Sequence, residues 1–365
     1  MKKILGAIFL AILIIGCSSS DNNETNNNKY DRSAMLINWA DNIIIPSYQN
    51  YTAKVTLLSD KATAFTTAPD ITTLGELRAA WLDAYIAYQY VAMHDLGKAS
   101  DLFLKQTANT YPTNTIGIQA NIASGSYNLN SAAQFSSQGF PAIDYLINGI
   151  GNDTETIAYY GNPNAGTFLN ALATQLKNTA QTVTNDWTNG YRDTYVNNNG
   201  SSVTSSVNKT TNNFIENLEK DVRSGKLGIP AGIFSNGTTF PDKVEAYYKN
   251  DISKMLLNTA IKAEQDFFNG KAFNGSTNGA SLKSALDAVN AVRDGQNLSD
   301  IINNQFSTIN TVNSQLSDSF SQQVINDNQK MVTANNTLQQ NIIYIKLDMM
   351  QALNITIDYV DGDGD

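Results

Sequence analysis

Apolar residues recur every three or four positions through most of this chain, the spacing of helices that bury one face. Tyr51, Val55, Leu58, Ala62 and Phe65 form one stripe. Leu36, Trp39, Ile43 and Ile44 carry it back through Pro46, where a kink is expected because proline offers no backbone N–H. Thr73 and Glu76 have the spacing of a capping box. They open a second helix whose face is Leu74, Leu77, Trp81, Ala84, Tyr88 and Val91, ending before Gly97. Later stripes follow the same rule: Leu169, Leu172, Leu176, Val183 and Trp187; then Leu298, Ile302, Phe306, Ile309, Leu316 and Phe320; then Leu338, Ile342, Ile345, Met349 and Leu353. This pattern predicts packed bundle helices with the aromatic members in the core.

Strand signals are nearly missing. Ile355, Thr356, Ile357, Asp358 and Tyr359 alternate, but a single short strand makes no sheet. Residues 99–138 are rich in Asn, Ser and Gly with little periodicity, which predicts a long excursion carrying short helices. Phe140-Pro141 followed by Asp144 is echoed by Phe240-Pro241 followed by Glu245, each with tyrosines close behind. Such an echo suits two related bundles, and chance similarity competes with it.

The N-terminus carries a separate message. Lys2 and Lys3 precede an apolar run over residues 4–15 and then Gly16-Cys17, the layout of a secretory signal. That run is shorter than the ~20 residues a membrane helix needs. Cys17, the chain's only cysteine, resembles the acylated residue of a bacterial lipoprotein. Residues 18–29 are polar and suit a flexible tether. The expected organisation is a signal peptide over residues 1–16 and a lipidated tether over 17–29. A first helical bundle over 30–160, a second over 161–358 and an acidic tail over 359–365 follow.

Residues 139–149, GFPAIDYLING, resemble the signature of the imelysin-like family, bacterial envelope proteins named after a metallopeptidase. The family pattern is Gly-x-His-x-x-Glu leading into an apolar helix, so that His and Glu share one helical face and could share a cation. Pro141 stands at the His position and Asp144 at the Glu position. Further pieces follow in family order: Leu77-Arg78-Ala79-Ala80-Trp81 with Ala84-Tyr85, Trp187 with Tyr191-Arg192, Lys226-Leu227-Gly228-Ile229-Pro230, and Val244-Glu245-Ala246-Tyr247-Tyr248. The resemblance implies an all-α fold of two related bundles with a site near their interface, a lipid-anchored place in the envelope, and a part in iron or metal acquisition.

Asp144 and Glu245 are the candidate metal ligands, an all-oxygen set suited to Mg²⁺, Ca²⁺ or iron rather than zinc. Trp81, Tyr85, Pro141, Tyr145 and Tyr247 are the candidate ligand-binding wall. Each also has a structural reading: Pro141 in a first helical turn, Asp144 at the positive end of a helix dipole, Gly149 as a cap. His94, the only histidine, suits a cation at a helix C-terminus. One imidazole without a paired ligand disfavours a zinc peptidase. A non-catalytic binding protein for a small ligand or metal is therefore the first reading, with a metal-dependent hydrolase or a glycan-binding module as alternatives. Periplasmic and surface locations stay open, as do envelope partner proteins. The formal charge of −9, which becomes −11 without Lys2 and Lys3, argues against nucleic acid.

Overall fold

The computed structural model describes residues 30–359. The predicted signal segment, Cys17, the tether and residues 360–365 of the acidic tail lie outside the described residues.

Asp31 starts the first rod by accepting the Ala34 N–H at 2.9 Å. Helix runs over Arg32–Asn38, widens into π-helical turns over Trp39–Ile44, and continues as α1 (Ile45–Thr67). Pro46 lies in the first turn of α1, so the rod adjusts through the wide turns before it instead of breaking. Proline cannot donate to the carbonyl four residues earlier. That carbonyl, on Asn42, instead accepts the Phe273 N–H at 2.8 Å and ties the first half of the chain to the second.

α2 (Ile71–Gln89) is opened by a capping box, but Asp70 is its cap. The Asp70 side chain accepts the Thr73 N–H at 2.7 Å while the Thr73 hydroxyl accepts the Asp70 N–H at 3.1 Å. The sequence pattern placed the box three residues late because Thr73 qualifies both as a cap and as its partner. The excursion over residues 99–138 carries short helices, as expected, including Leu104–Asn109 and Thr115–Ser124. It leads into α3 (Gly139–Asn148) and α4 (Pro163–Asp186). α1 packs against both α2 and α4, and α3 packs on α4. α4, assigned by the sequence reading to the second bundle, thus packs with the first.

The second group comprises α5 (Ser206–Glu216), which continues in π-helical turns over Asn217–Gly228, with α6 (Ser253–Phe268), α7 (Leu298–Asn313) and α8 (Phe320–Ile343). α6 also touches α2 across the two groups. One hydrophobic core spans both, with Trp39, Trp81 and Trp187 fully buried. The predicted stripes form its faces. The only β-ladder among the described residues is the hairpin Val292–Arg293 with Gln296–Asn297. The alternating segment near the C-terminus is extended but pairs with no strand. Asn208 accepts the Thr356 N–H at 2.9 Å, and Asn212 donates to the Thr356 carbonyl and accepts from Asp358. Two asparagine side chains of α5 thereby supply the bonds a neighbouring strand would have made.

Candidate functional site

The GFPAIDYLING segment is built around one close approach. Gly139 has φ of +77°, and a Cβ there would lie 2.2 Å from the Ala108 carbonyl oxygen. Only glycine fits this position. The Trp81 indole N–H donates to the Phe140 carbonyl at 3.1 Å, and the Tyr85 ring stacks on the Phe140 ring at 4.5 Å. Trp81 and Tyr85 are wholly buried. Both hold the start of α3 in the core.

Asp144 is buried, and all its partners are donors. It accepts the Tyr248 and Lys249 backbone N–H groups at 2.9 and 3.0 Å and the Asn148 amide at 2.9 Å. Burial pushes its carboxyl up to about 7, against the pull of those three donors toward the charged form. The carboxylate therefore anchors the 244–249 loop instead of facing the dipole of its own helix. Gly149 closes α3 with φ of −107°, not as a left-handed cap. Its missing side chain serves the same loop, since a Cβ would lie 2.5 Å from the Tyr248 ring.

Glu245, on that loop, is also buried. It forms an ion pair with the buried Lys226 ammonium and accepts from Asn109 at 2.8 Å and Gln89 at 3.2 Å. Lys226 donates again to Gln89 at 3.0 Å, and Tyr85 donates to Asn109 at 2.5 Å. This network joins α2, the 104–109 helix, the turns after α5 and the 244–249 loop. Phe140 and Phe240 begin segments of different form. The first opens α3, whereas no helix is assigned between Gly228 and Ser253.

The two acids thus flank one loop, but they do not offer free oxygens to one point. Among the described residues no group of three or more His, Cys, Asp or Glu side chains is placed to hold a metal ion. A metal centre built on Asp144 and Glu245 does not fit this donor set: one is bonded by N–H groups and the other is neutralised by lysine. His94 is not a cation at a helix end. It is 1% exposed, and burial pushes its imidazole down to about 3, so it is neutral. Burial holds the Tyr85, Tyr88 and Tyr111 phenols well above their usual range, which works against phenolate ligation of iron.

Beside the Glu245 network lies a cavity of about 550 Å³, within the ~300–1,000 Å³ range of small-molecule sites. Its wall comes from α2, residues 105–112, the turns after α5 and Lys243. Lys105, Lys220, Lys226 and Lys243 all line it, with Asp221 as the one lining carboxylate. Lys105 pairs with Asp221, and Lys220 with Glu216 at 3.0 Å. Lys243 lies 3.7 Å from the centre of the Phe240 ring and has no carboxylate partner among the described residues. Three of the four ammonium groups are thus paired with carboxylates, and Asp95 also acts on Lys105, so Lys243 is the one lining ammonium without a carboxylate partner among the described residues.

Pro141, Asp144 and Tyr247 line a smaller neighbouring pocket of about 110 Å³, and Tyr111 borders both. Tyr145 stands behind it, accepting from Gln119 at 2.9 Å and touching the Tyr248 ring. Sequence reasoning passed over the lysines, although Lys226 lay within a quoted motif. The signal was available in their spacing, since Lys220 and Lys226 sit on one continuous run with Asp221.

The sequence profile of imelysin, the M75 peptidase family, matches residues 44–345. A comparison with curated protein sequences finds no match. Among solved structures, a protein described as an iron-regulated protein A precursor from Parabacteroides distasonis superposes with a TM-score of 0.70 at 15% identity. The match covers 87% of this chain and 95% of that one. An imelysin-like protein from Psychrobacter arcticum gives a TM-score of 0.64 at 16% identity, over 90% and 97% of the two chains.

Proposed function

The chain belongs to the imelysin family, and we propose that it is a non-catalytic, lipid-anchored envelope protein that binds a small anionic ligand between its two helical groups. The lysine-lined cavity of about 550 Å³ carries this reading. Removing a carboxylate-bearing ligand from water is compensated where fixed ammonium groups replace its hydration. Lys243 offers an ammonium with no carboxylate partner among the described residues, and Asp144 and Glu245 are already engaged and so do not offer free oxygens to a bare cation. An iron-related role, suggested by the description of the Parabacteroides relative, is then served by a negatively charged iron chelate and not by the naked ion.

The sole imidazole is buried with neither nitrogen hydrogen-bonded, and no acid is paired with it, which supports binding over hydrolysis. Envelope placement rests on the signal-like start and Cys17. The test is equilibrium dialysis of the full-length protein against ferric ion, with and without excess citrate. Iron retained only with citrate supports the reading; iron retained equally in both, and lost in Asp144→Ala with Glu245→Ala, would replace it with direct metal binding.

A further inference from the structure

The lysine-lined cavity of about 550 Å³ holds two phenols to which the functional reading above gives no part. Tyr88 reaches it from α2, and Tyr111 from residues 105–112. Their neighbour Tyr85 donates its hydroxyl to Asn109 at 2.5 Å. The Tyr88 and Tyr111 hydroxyls have no hydrogen-bond partner among the described residues, and neither oxygen is closed to solvent. Tyr88 is 3% exposed, so its hydroxyl opens on the cavity it lines and not on the outer surface.

Gly225 makes room for the second phenol. It lies within the π-helical turns after α5, where a glycine weakens the helix by its backbone freedom. A Cβ there would lie 3.1 Å from the Tyr111 hydroxyl oxygen, too close unless the phenol moved. Gly225 lines the cavity as well, so the bare backbone keeps that oxygen at the wall. Burial holds both phenols in the protonated form, and each therefore offers an O–H. Lys243, without a carboxylate partner among the described residues, is a third donor. Ala92, Val222 and Ile229 add apolar wall.

We infer, on the functional reading proposed for this cavity, that Tyr88 and Tyr111 bind the ligand through their hydroxyls and, with Lys243, select an anion bearing several carboxylate groups. The three donors stand on three separate segments, and they outnumber the two oxygens of a single carboxylate. A phenol O–H donated to a carboxylate oxygen is a charge-assisted bond, stronger than a bond between neutral groups. An iron chelate is then held by the oxygens of its organic shell, while the metal meets no protein ligand.

Calorimetric titration of the full-length protein with ferric citrate tests this beside Tyr88→Phe and Tyr111→Phe, which each remove one oxygen and keep the ring. Each variant should bind about tenfold more weakly, the loss expected for a hydrogen bond to a charged group. Neither hydroxyl has a partner within the protein, so the Tm of each variant should equal or exceed that of the wild type. Acetate should give no saturable heat. Unchanged affinity in a variant would overturn the role of that tyrosine and leave the functional reading intact, whereas no binding by the wild type would overturn both. Weaker binding matched by a lower Tm would make the tyrosine structural, and acetate binding as tightly as the chelate would overturn the selection of several carboxylates.

Discussion

Replacing Asp144 with alanine removes the only side chain bonded to the Tyr248 and Lys249 N–H groups. Each donor left without a partner costs ~1–3 kcal/mol, so a loss of about 2–6 kcal/mol is expected for the pair. Urea unfolding measures the loss, and hydrogen exchange at the 248 and 249 amides locates it. Asp144→Asn separates charge from bonding. The native carboxyl is raised to about 7 by burial, above its unfolded value near ~3.9. The folded state therefore holds the proton more tightly, and stability from this group falls as pH rises between roughly 4 and 7. Three pH units correspond to about 4 kcal/mol. Against Asp144→Asn, whose side chain does not titrate, the wild type should lose ground over that window. A pH-independent difference, or unchanged exchange at both amides in Asp144→Ala, would refute this account of the loop.

Lys226→Ala leaves Glu245 buried without its ammonium and should cost about 3–5 kcal/mol in urea unfolding, with partial recovery in Lys226→Met, Glu245→Gln. Gly139→Ala, at φ of +77° and against the Ala108 carbonyl, should destabilise by more than ~1 kcal/mol by thermal melting. Pro46→Ala restores an N–H that competes for the Asn42 carbonyl, so exchange at the Phe273 amide should quicken while global stability changes little. His94, held at about 3 by burial, should keep a neutral imidazole spectrum from pH 8 down to 5. Its contribution to stability is lost as pH falls below roughly 6.5, opposite in sign to that of Asp144. Cys17→Ser should move the protein from the membrane fraction to the soluble fraction on cell fractionation.

The helices were legible because each buries one face, and a stripe such as Tyr51 to Phe65 states that face outright. The motif glycine was legible for a like reason: Gly139 answers to a single local clash. Partner choice was not. Asp144 lies where a helix dipole would favour it, yet it bonds a loop a hundred residues further on, and nothing in a local window reports that distance. The α4 helix shows the same limit, since its stripe fits either group and only packing assigns it. The cavity was hidden because its four lysines come from three separate segments. His94 was misread because sequence position gave its neighbours along the chain but not its burial among Phe267 and Tyr48.

The most direct measurement is calorimetric titration of the full-length protein with ferric citrate, beside calcium and the Lys243→Glu variant. The account predicts one saturable site for the anionic chelate, no comparable heat for calcium, and at least about tenfold weaker binding after charge reversal at Lys243. Saturable calcium binding with no response to the chelate, or chelate binding indifferent to Lys243, would contradict it.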